Sequence, residues 1–225
     1  MLDLIHKKIY NIFVKPFLTY YLRKERWFNY KNLRLKIYAG VFHPAHFFST
    51  SVFSDYINTL DLKDKKLCEV GAGSGLLSFI AYTKGAHVVS FDISELAVNG
   101  INENLVSNFK QTSQFVCYQS NLFDAIPENK FDVLLINPPY FFSNPKSISD
   151  YSWYCGKNGE YFEKLFTQLP DYSSSTSSIL MILAENCEIE KIKSIAKKHS
   201  YVLQLMVEKK IKWEKNFIFK LVKHP

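Results

Sequence analysis

The chain has 225 residues, 47% of them hydrophobic, which suits one full-sized α/β domain plus a short appendage and excludes global disorder. Its net charge of +7 is concentrated in residues 1–40, where nine Lys or Arg face only Asp3 and Glu25; the remainder carries 19 of each sign. A neutral body with a basic arm suggests an acidic partner (RNA, an anionic membrane surface or an acidic protein) or else a solvated helix face.

No run of about 18 uncharged apolar residues is present, so no transmembrane helix is expected. The first residues lack a small-residue cleavage site, which argues against secretion. Cys68, Cys117, Cys155 and Cys187 are scattered without C-x-x-C spacing, as buried thiols of a reducing cytoplasm would be.

In chain order, Leu4, Ile5, Ile9, Ile12 and Phe13 fall near helical spacing, predicting one helix over 2–24 broken near Pro16, or two short ones. Residues 27–38 alternate around Lys31-Asn32, which predicts a β-hairpin. Gly40-Val41-Phe42-His43-Pro44 is a turn-rich entry to Ser49-Thr50 and a helix over about 51–60. His43 and His46 have no acidic or Cys neighbour, so a metal site is not expected there.

From Leu67 the pattern becomes strand–helix alternation. Strands are expected at 67–70, 87–91, 114–118, 131–136, 178–184, 201–211 and 214–223, and helices at about 74–83, 95–108, 159–169 and 188–199. The nearly all-apolar early strands imply an α/β fold with a doubly wound, mostly parallel sheet. The last two strands, with no helix between them, predict an antiparallel hairpin on the sheet edge. Ser173 to Ser178 reads as a polar linker before the fifth strand. The chain thus divides into a basic helix and hairpin extension, 1–40, and a main domain, 41–225.

Two stretches carry chemistry. Glu69-Val70-Gly71-Ala72-Gly73-Ser74-Gly75 leaves the first strand of the domain and opens a helix, and its glycines let backbone turn tightly against a ligand. The second strand ends in Asp92, about 20 residues after Gly71, where a carboxylate can accept both ribose hydroxyl protons. An adenosine-type cofactor follows. Asn137-Pro138-Pro139-Tyr140 ends the fourth strand abruptly, because neither proline has an N–H for a ladder. It presents an amide, carbonyls and a ring where open α/β sheets bind ligands, although a simple Pro-Pro turn would read the same way in isolation.

Together these stretches resemble the class I S-adenosylmethionine-dependent methyltransferases, above all the small-methyltransferase group that includes release-factor glutamine methyltransferases (HemK-type) and several RNA base methyltransferases. The likeness lies in E-V-G-A-G-S-G (69–75), F-D-I-S (91–94) with Asn104 downstream, S-N-L-F (120–123), F-D-V-L-L-I-N-P-P-Y (131–140) and G-K-N-G-E-Y-F (156–162), with G-V-F-H-P (40–44) and Thr50 before them. It covers about residues 40–225. The resemblance implies a Rossmann-like methyltransferase fold of seven strands in the order 3-2-1-4-5-7-6. It implies S-adenosyl-L-methionine held by Thr50, Glu69, Gly71, Ala72, Gly73, Gly75, Asp92, Ile93, Asn121, Leu122 and Asn137, with catalysis at Asn137, Pro138 and Tyr140. Asn121 replaces the usual Asp, and its side-chain oxygen can still accept from an adenine amine. Residues 1–40 do not resemble the helical substrate domain of the release-factor enzymes.

The chemistry that this implies is N-methylation of a planar amide or amine. Such a nitrogen is a poor nucleophile, so the Asn137 oxygen and the Pro138 carbonyl would accept its hydrogens while Tyr140 stacks on the flat group. A protein glutamine and an RNA or DNA base both satisfy that description. The readings from other classes are a catalytically idle binding module that keeps the fold and acts with a partner, and a nicotinamide oxidoreductase, which shares glycine loops.

Overall fold

The computed structural model describes residues 24–109 and 113–223. The helix expected over 2–24 lies almost wholly outside them. A hairpin of β1 (Arg26–Tyr30) and β2 (Leu33–Ile37) comes first, turning at Lys31-Asn32 as the alternation predicts. Then follow α1 (Phe48–Thr59), β3 (Lys66–Val70), α2 (Leu76–Thr83), β4 (His87–Asp92), α3 (Glu95–Asn108), β5 (Phe115–Gln119), β6 (Phe131–Ile136), α4 (Glu160–Tyr172), β7 (Ser173–Ala184), α5 (Ile189–Lys198), β8 (Tyr201–Ile211) and β9 (Glu214–Lys223).

The seven-stranded sheet runs β5-β4-β3-β6-β7-β9-β8, the 3-2-1-4-5-7-6 order expected. β9 lies antiparallel between β7 and β8, and the other neighbours are parallel. Period-two alternation splits the core. Leu67, Val133, Leu135, Leu180 and Ile182 face α1, α2 and α3, whereas Cys68, Leu134, Ile136, Met181 and Leu183 face α4 and α5. Both faces are therefore covered, which is why the central strands read as unbroken apolar runs. The strand order, not the strand direction, reverses between the parallel neighbours β3 and β6, so the connections after their carboxyl ends diverge and leave a crevice.

Several boundaries differ from expectation. α1 starts three residues early, at Phe48. α2 starts late because Gly75 holds φ 74°, outside helical space. α4 runs through Pro170 to Tyr172, since Leu169 and Tyr172 are both buried against the sheet. The polar run at 173–178 is not a linker but the bulged start of β7. Ser173 pairs with Phe131 and Ser178 with Val133, and the residues between leave the ladder, with 174–176 exposed and Ser177 buried. There Ser177 Oγ donates to the Phe131 carbonyl at 2.6 Å and accepts from the Ser174 N–H at 2.8 Å, replacing ladder bonds with side-chain ones.

The hairpin is stitched to α3 by two asparagines. Asn104 accepts from the Lys36 N–H at 2.7 Å and donates to the Lys36 carbonyl at 2.9 Å; Asn108 does the same to Arg34 at 3.0 Å each way. Four residues along a helix and two along a strand both advance roughly 6 Å, so helical Asn side chains match alternate strand residues. One helical turn earlier Gly100 leaves room for Tyr38, whose ring would lie 2.9 Å from an added Cβ. Leu33, Leu35 and Ile37 then join the core shared with α1, α2 and α3.

Candidate active site

A cleft opens over the carboxyl ends of β3, β4 and β6. Its floor is the glycine loop. Gly71, Gly73 and Gly75 hold φ of 68°, 52° and 74°, which residues with a Cβ rarely adopt. A Cβ on Gly71 would project into open space within the cleft, whereas one on Gly73 would only touch Phe42 at 3.6 Å. Gly75 does not line the cleft. A Cβ there would strike Ile101 at 2.7 Å, so its role is to let α2 pack against α3.

Two carboxylates fix this loop from either side. Asp92 Oδ2 accepts from the Gly73 N–H and Oδ1 from the Ser94 N–H, both at 2.8 Å. Burial raises its pKa, and these backbone bonds oppose the rise. A carboxylate offers about four acceptor positions, so two remain for a ligand's hydroxyls. Glu69 is 4% exposed and accepts at Oε2 from the N–H and hydroxyl of Ser78. Burial pushes its pKa up to about 8 against those bonds.

The structure brings the remaining predicted residues to the same cleft: Thr50, Ala72, Ile93, Asn121, Leu122, Asn137, Pro138 and Tyr140. Leu122 is buried at φ 55°, and Asn121 stands exposed at the rim. The Asn137 side chain follows a buried strand, is half-buried and has no hydrogen-bond partner among the described residues. Two hydroxyls are also left without partners here. Thr50 Oγ1 and Tyr161 Oη are both buried, polar and part of cleft-lining side chains.

Sequence reasoning missed the cleft's mouth. After Tyr140 the chain makes an excursion and returns, with Phe141 N–H donating to the Trp153 carbonyl and Cys155 N–H to the Phe141 carbonyl, each at 3.0 Å. A short 3₁₀ turn at Ile148–Ser152 is held by Asp150, which accepts from Lys146 and Ser147 N–H groups. Trp153 thereby meets Phe42 at 5.6 Å and Phe47 at 5.1 Å, and those two phenylalanines stack at 4.0 Å. The only sequence signal was the aromatic density of Tyr151 to Tyr154. His43, weighed as a metal ligand, uses Nδ1 to cap its own turn by accepting from the Ala45 N–H at 3.3 Å. Among the described residues no group of three or more His, Cys, Asp or Glu could hold a metal ion.

The methyltransferase small domain family model matches residues 32–150, the segment that carries the glycine loop, Asp92 and Asn137 to Tyr140. The chain belongs to this family. The methyltransferase is 33% identical over 171 residues to a Methanocaldococcus jannaschii protein named "Putative protein N5-glutamine methyltransferase", covering 72% of this chain and 80% of that one. It is 25% identical over 135 residues to a tRNA1(Val) (adenine(37)-N6)-methyltransferase of Flavobacterium psychrophilum, covering 58% of this chain and 57% of the relative. Its fold matches a 16S rRNA N2 G1207 methyltransferase of T. thermophilus, solved with AdoMet and guanosine, at a TM-score of 0.62 and 14% identity over 88% of this chain and 50% of that one. The protein is therefore an S-adenosylmethionine-dependent methyltransferase, and the cleft suits that cofactor: open space over Gly71, acceptor positions on Asp92, and two buried hydroxyls without partners.

Proposed function

We propose that the methyltransferase transfers a methyl group to a planar amide or amine nitrogen, of a protein glutamine or of a nucleobase. The observation that carries this is Asn137: an unpartnered amide at the cleft's edge, followed by two prolines and a tyrosine and faced by aromatic rings. S-adenosylmethionine, when bound, supplies an electrophilic methyl group on a sulfonium. Glu69, Gly71, Ala72, Gly73, Asp92, Ile93, Asn121, Leu122 and Thr50 would hold it, with Gly75 shaping the loop from behind.

The protein's own part is orientation. The Asn137 side-chain oxygen and the Pro138 carbonyl accept the acceptor nitrogen's two hydrogens, which turns its lone pair toward the cleft and favours the positive charge that develops. Proline offers no competing donor at that point. Tyr140 gives the flat group a surface, and Phe42, Phe47 and Trp153 crowd the mouth and keep water out. No general base is needed, because the proton can leave after transfer.

The reading includes a basic extension, residues 1–40, that contributes to substrate capture, and a methyltransferase domain, residues 41–225. It also includes a cytoplasmic setting, supported by four cysteines that are all unpaired. Among the described residues no helix is long and apolar enough to cross a membrane. The test is incubation with methyl-labelled cofactor and cell extract, followed by separate ribonuclease, deoxyribonuclease and protease treatment. Label released by one of the three is expected with wild type and not with Asn137→Ala. No transferred label at all would favour an idle binding module.

A further inference from the structure

The β8–β9 turn is built unlike a turn chosen for stability alone. It has two residues, Lys212 and Trp213, between the paired Ile211 and Glu214. Lys212 sits at φ 54°, where Gly, Asn or Asp is cheaper. Trp213 is 74% exposed, more than any other large hydrophobic residue described. Its indole meets the Phe48 ring edge-on at 5.8 Å, and Lys212 Nζ lies 5.6 Å from both rings.

The turn stands at the cleft's edge of the sheet. Asn216, just past it, pairs with Ala184 at the carboxyl end of β7, and that is the edge on which β3, β4 and β6 also end. The ground between is aromatic. Phe48 follows Phe47, which belongs to the ring cluster at the mouth, and Thr50 two residues on lines the cleft itself. Two groups of rings thus lie on this side, Trp153 with Phe42 and Phe47 at the mouth and Phe48 with Trp213 at the turn, linked by the Phe47–Phe48 step of the chain. Lysines flank the far end. Lys209 is paired with Asp55 of α1 and Lys215 with Glu208 on the opposite face, the face Lys210 shares, whereas Lys212 in the turn meets no carboxylate among the described residues.

We propose that these rings mark the docking path of a single-stranded RNA, whose target base enters the cleft while a neighbouring base stacks on Trp213 and a phosphate meets Lys212. Exposed ring faces beside an unpaired cation match a polyanion carrying flat bases, and such surfaces bind single strands by stacking and charge together. A glutamine-bearing peptide supplies neither feature. RNA is favoured over DNA because folded RNA presents unpaired bases in loops, whereas a base in duplex DNA must first be flipped out. This inference rests on the proposed N-methylation and narrows its acceptor to a base.

The experiment uses the full chain and a fluorescent, unstructured RNA of about 12 nucleotides, within the span of a typical single-strand site. Trp213→Ala should weaken binding about 5- to 150-fold, the loss of one stacked base, while Trp213→Phe keeps most of the affinity. Lys212→Ala should make the salt dependence shallower. Affinity for S-adenosylhomocysteine and melting temperature should stay at wild-type values in all three. The proposal is overturned if Trp213→Ala binds RNA as tightly as wild type, if duplex DNA of the same sequence binds more tightly than the RNA, or if protease and not ribonuclease releases the transferred methyl. Wild type that binds no S-adenosylhomocysteine would instead strike the cofactor reading, and this proposal with it.

Discussion

Asp92 does two jobs with one carboxylate, and a pair of substitutions separates them. Each oxygen already accepts one backbone N–H at 2.8 Å, from Gly73 in the glycine loop and from Ser94 at the start of α3. The spare acceptor position on each oxygen is what a ribose diol would use. Asp92→Ala removes both sets of bonds. Two hydrogen bonds to a charged group, together with a loop no longer held in place, weaken cofactor binding by about 2–4 kcal/mol, roughly 30- to 1,000-fold. Stability should change much less, because losing two backbone bonds is offset by no longer burying a charge, the same burial that raises this group's pKa.

Asp92→Asn is the discriminating variant. An amide can accept on one side only, so its NH₂ group must face either the Gly73 or the Ser94 N–H, donor against donor. If the carboxylate ties the loop as well as the ligand, Asn rescues little and melts no higher than Ala. Calorimetry with S-adenosylhomocysteine and thermal melts on the three proteins make the comparison. An Asn variant that binds within about threefold of wild type, a difference under 1 kcal/mol, would refute the reasoning.

Three other outcomes are expected. Asn137→Ala should lose about 10²–10³ in turnover with cofactor affinity little changed, and Asn137→Asp should retain more, since a carboxylate still accepts the hydrogen and attracts the developing charge; steady-state kinetics on both variants decide this. The Glu69 carboxyl, raised to about 8 by burial, binds its proton more tightly in the folded chain than in the unfolded one. Its contribution is complete below the ordinary carboxyl pKa and is lost as pH rises through about 8, so Glu69→Gln should flatten the decline of melting temperature over that window. Gly71→Ala should reduce cofactor affinity more than stability, whereas Gly75→Ala should chiefly lower the melting temperature, because its Cβ strikes Ile101.

The parts legible in the sequence were those where one residue type has one physical meaning. Apolar runs broken by glycine loops can hardly be anything but buried parallel strands, and Asn-Pro-Pro-Tyr cannot continue a ladder. Illegible were the places where a side chain imitates backbone. The serines before Ser178 read as a linker because the Ser177 hydroxyl takes the place of a ladder partner, accepting from the Ser174 N–H and donating to the Phe131 carbonyl. The mouth of the cleft was hidden for a different reason. Phe42, Phe47 and Trp153 come together only through the return of the chain after Tyr140, and no local pattern encodes a meeting across a hundred residues. Thr50 was expected at the cofactor and Tyr161 was quoted only as part of a motif, whereas the unpartnered hydroxyls of both emerged from the packing.

Asn104 bears on where an acidic partner can bind. The sequence offers it as a family mark, and the structure gives a mechanical reason: with Asn108 it holds β2 to α3, and so keeps Gly40, Val41 and Phe42 over the cleft. Part of the hairpin's charge is already engaged. Lys36 lies 3.3 Å from Glu25 and 3.8 Å from Glu103, and the Arg34 guanidinium covers the Trp27 ring at 4.3 Å. A charge already paired in this way adds little to the attraction of a polyanion. The concentration of positive charge in residues 1–40 therefore overstates what the hairpin can offer a partner. Lys212, which meets no carboxylate among the described residues, is the cation left beside Trp213, and on the docking path proposed above it supplies the electrostatic contact at that end.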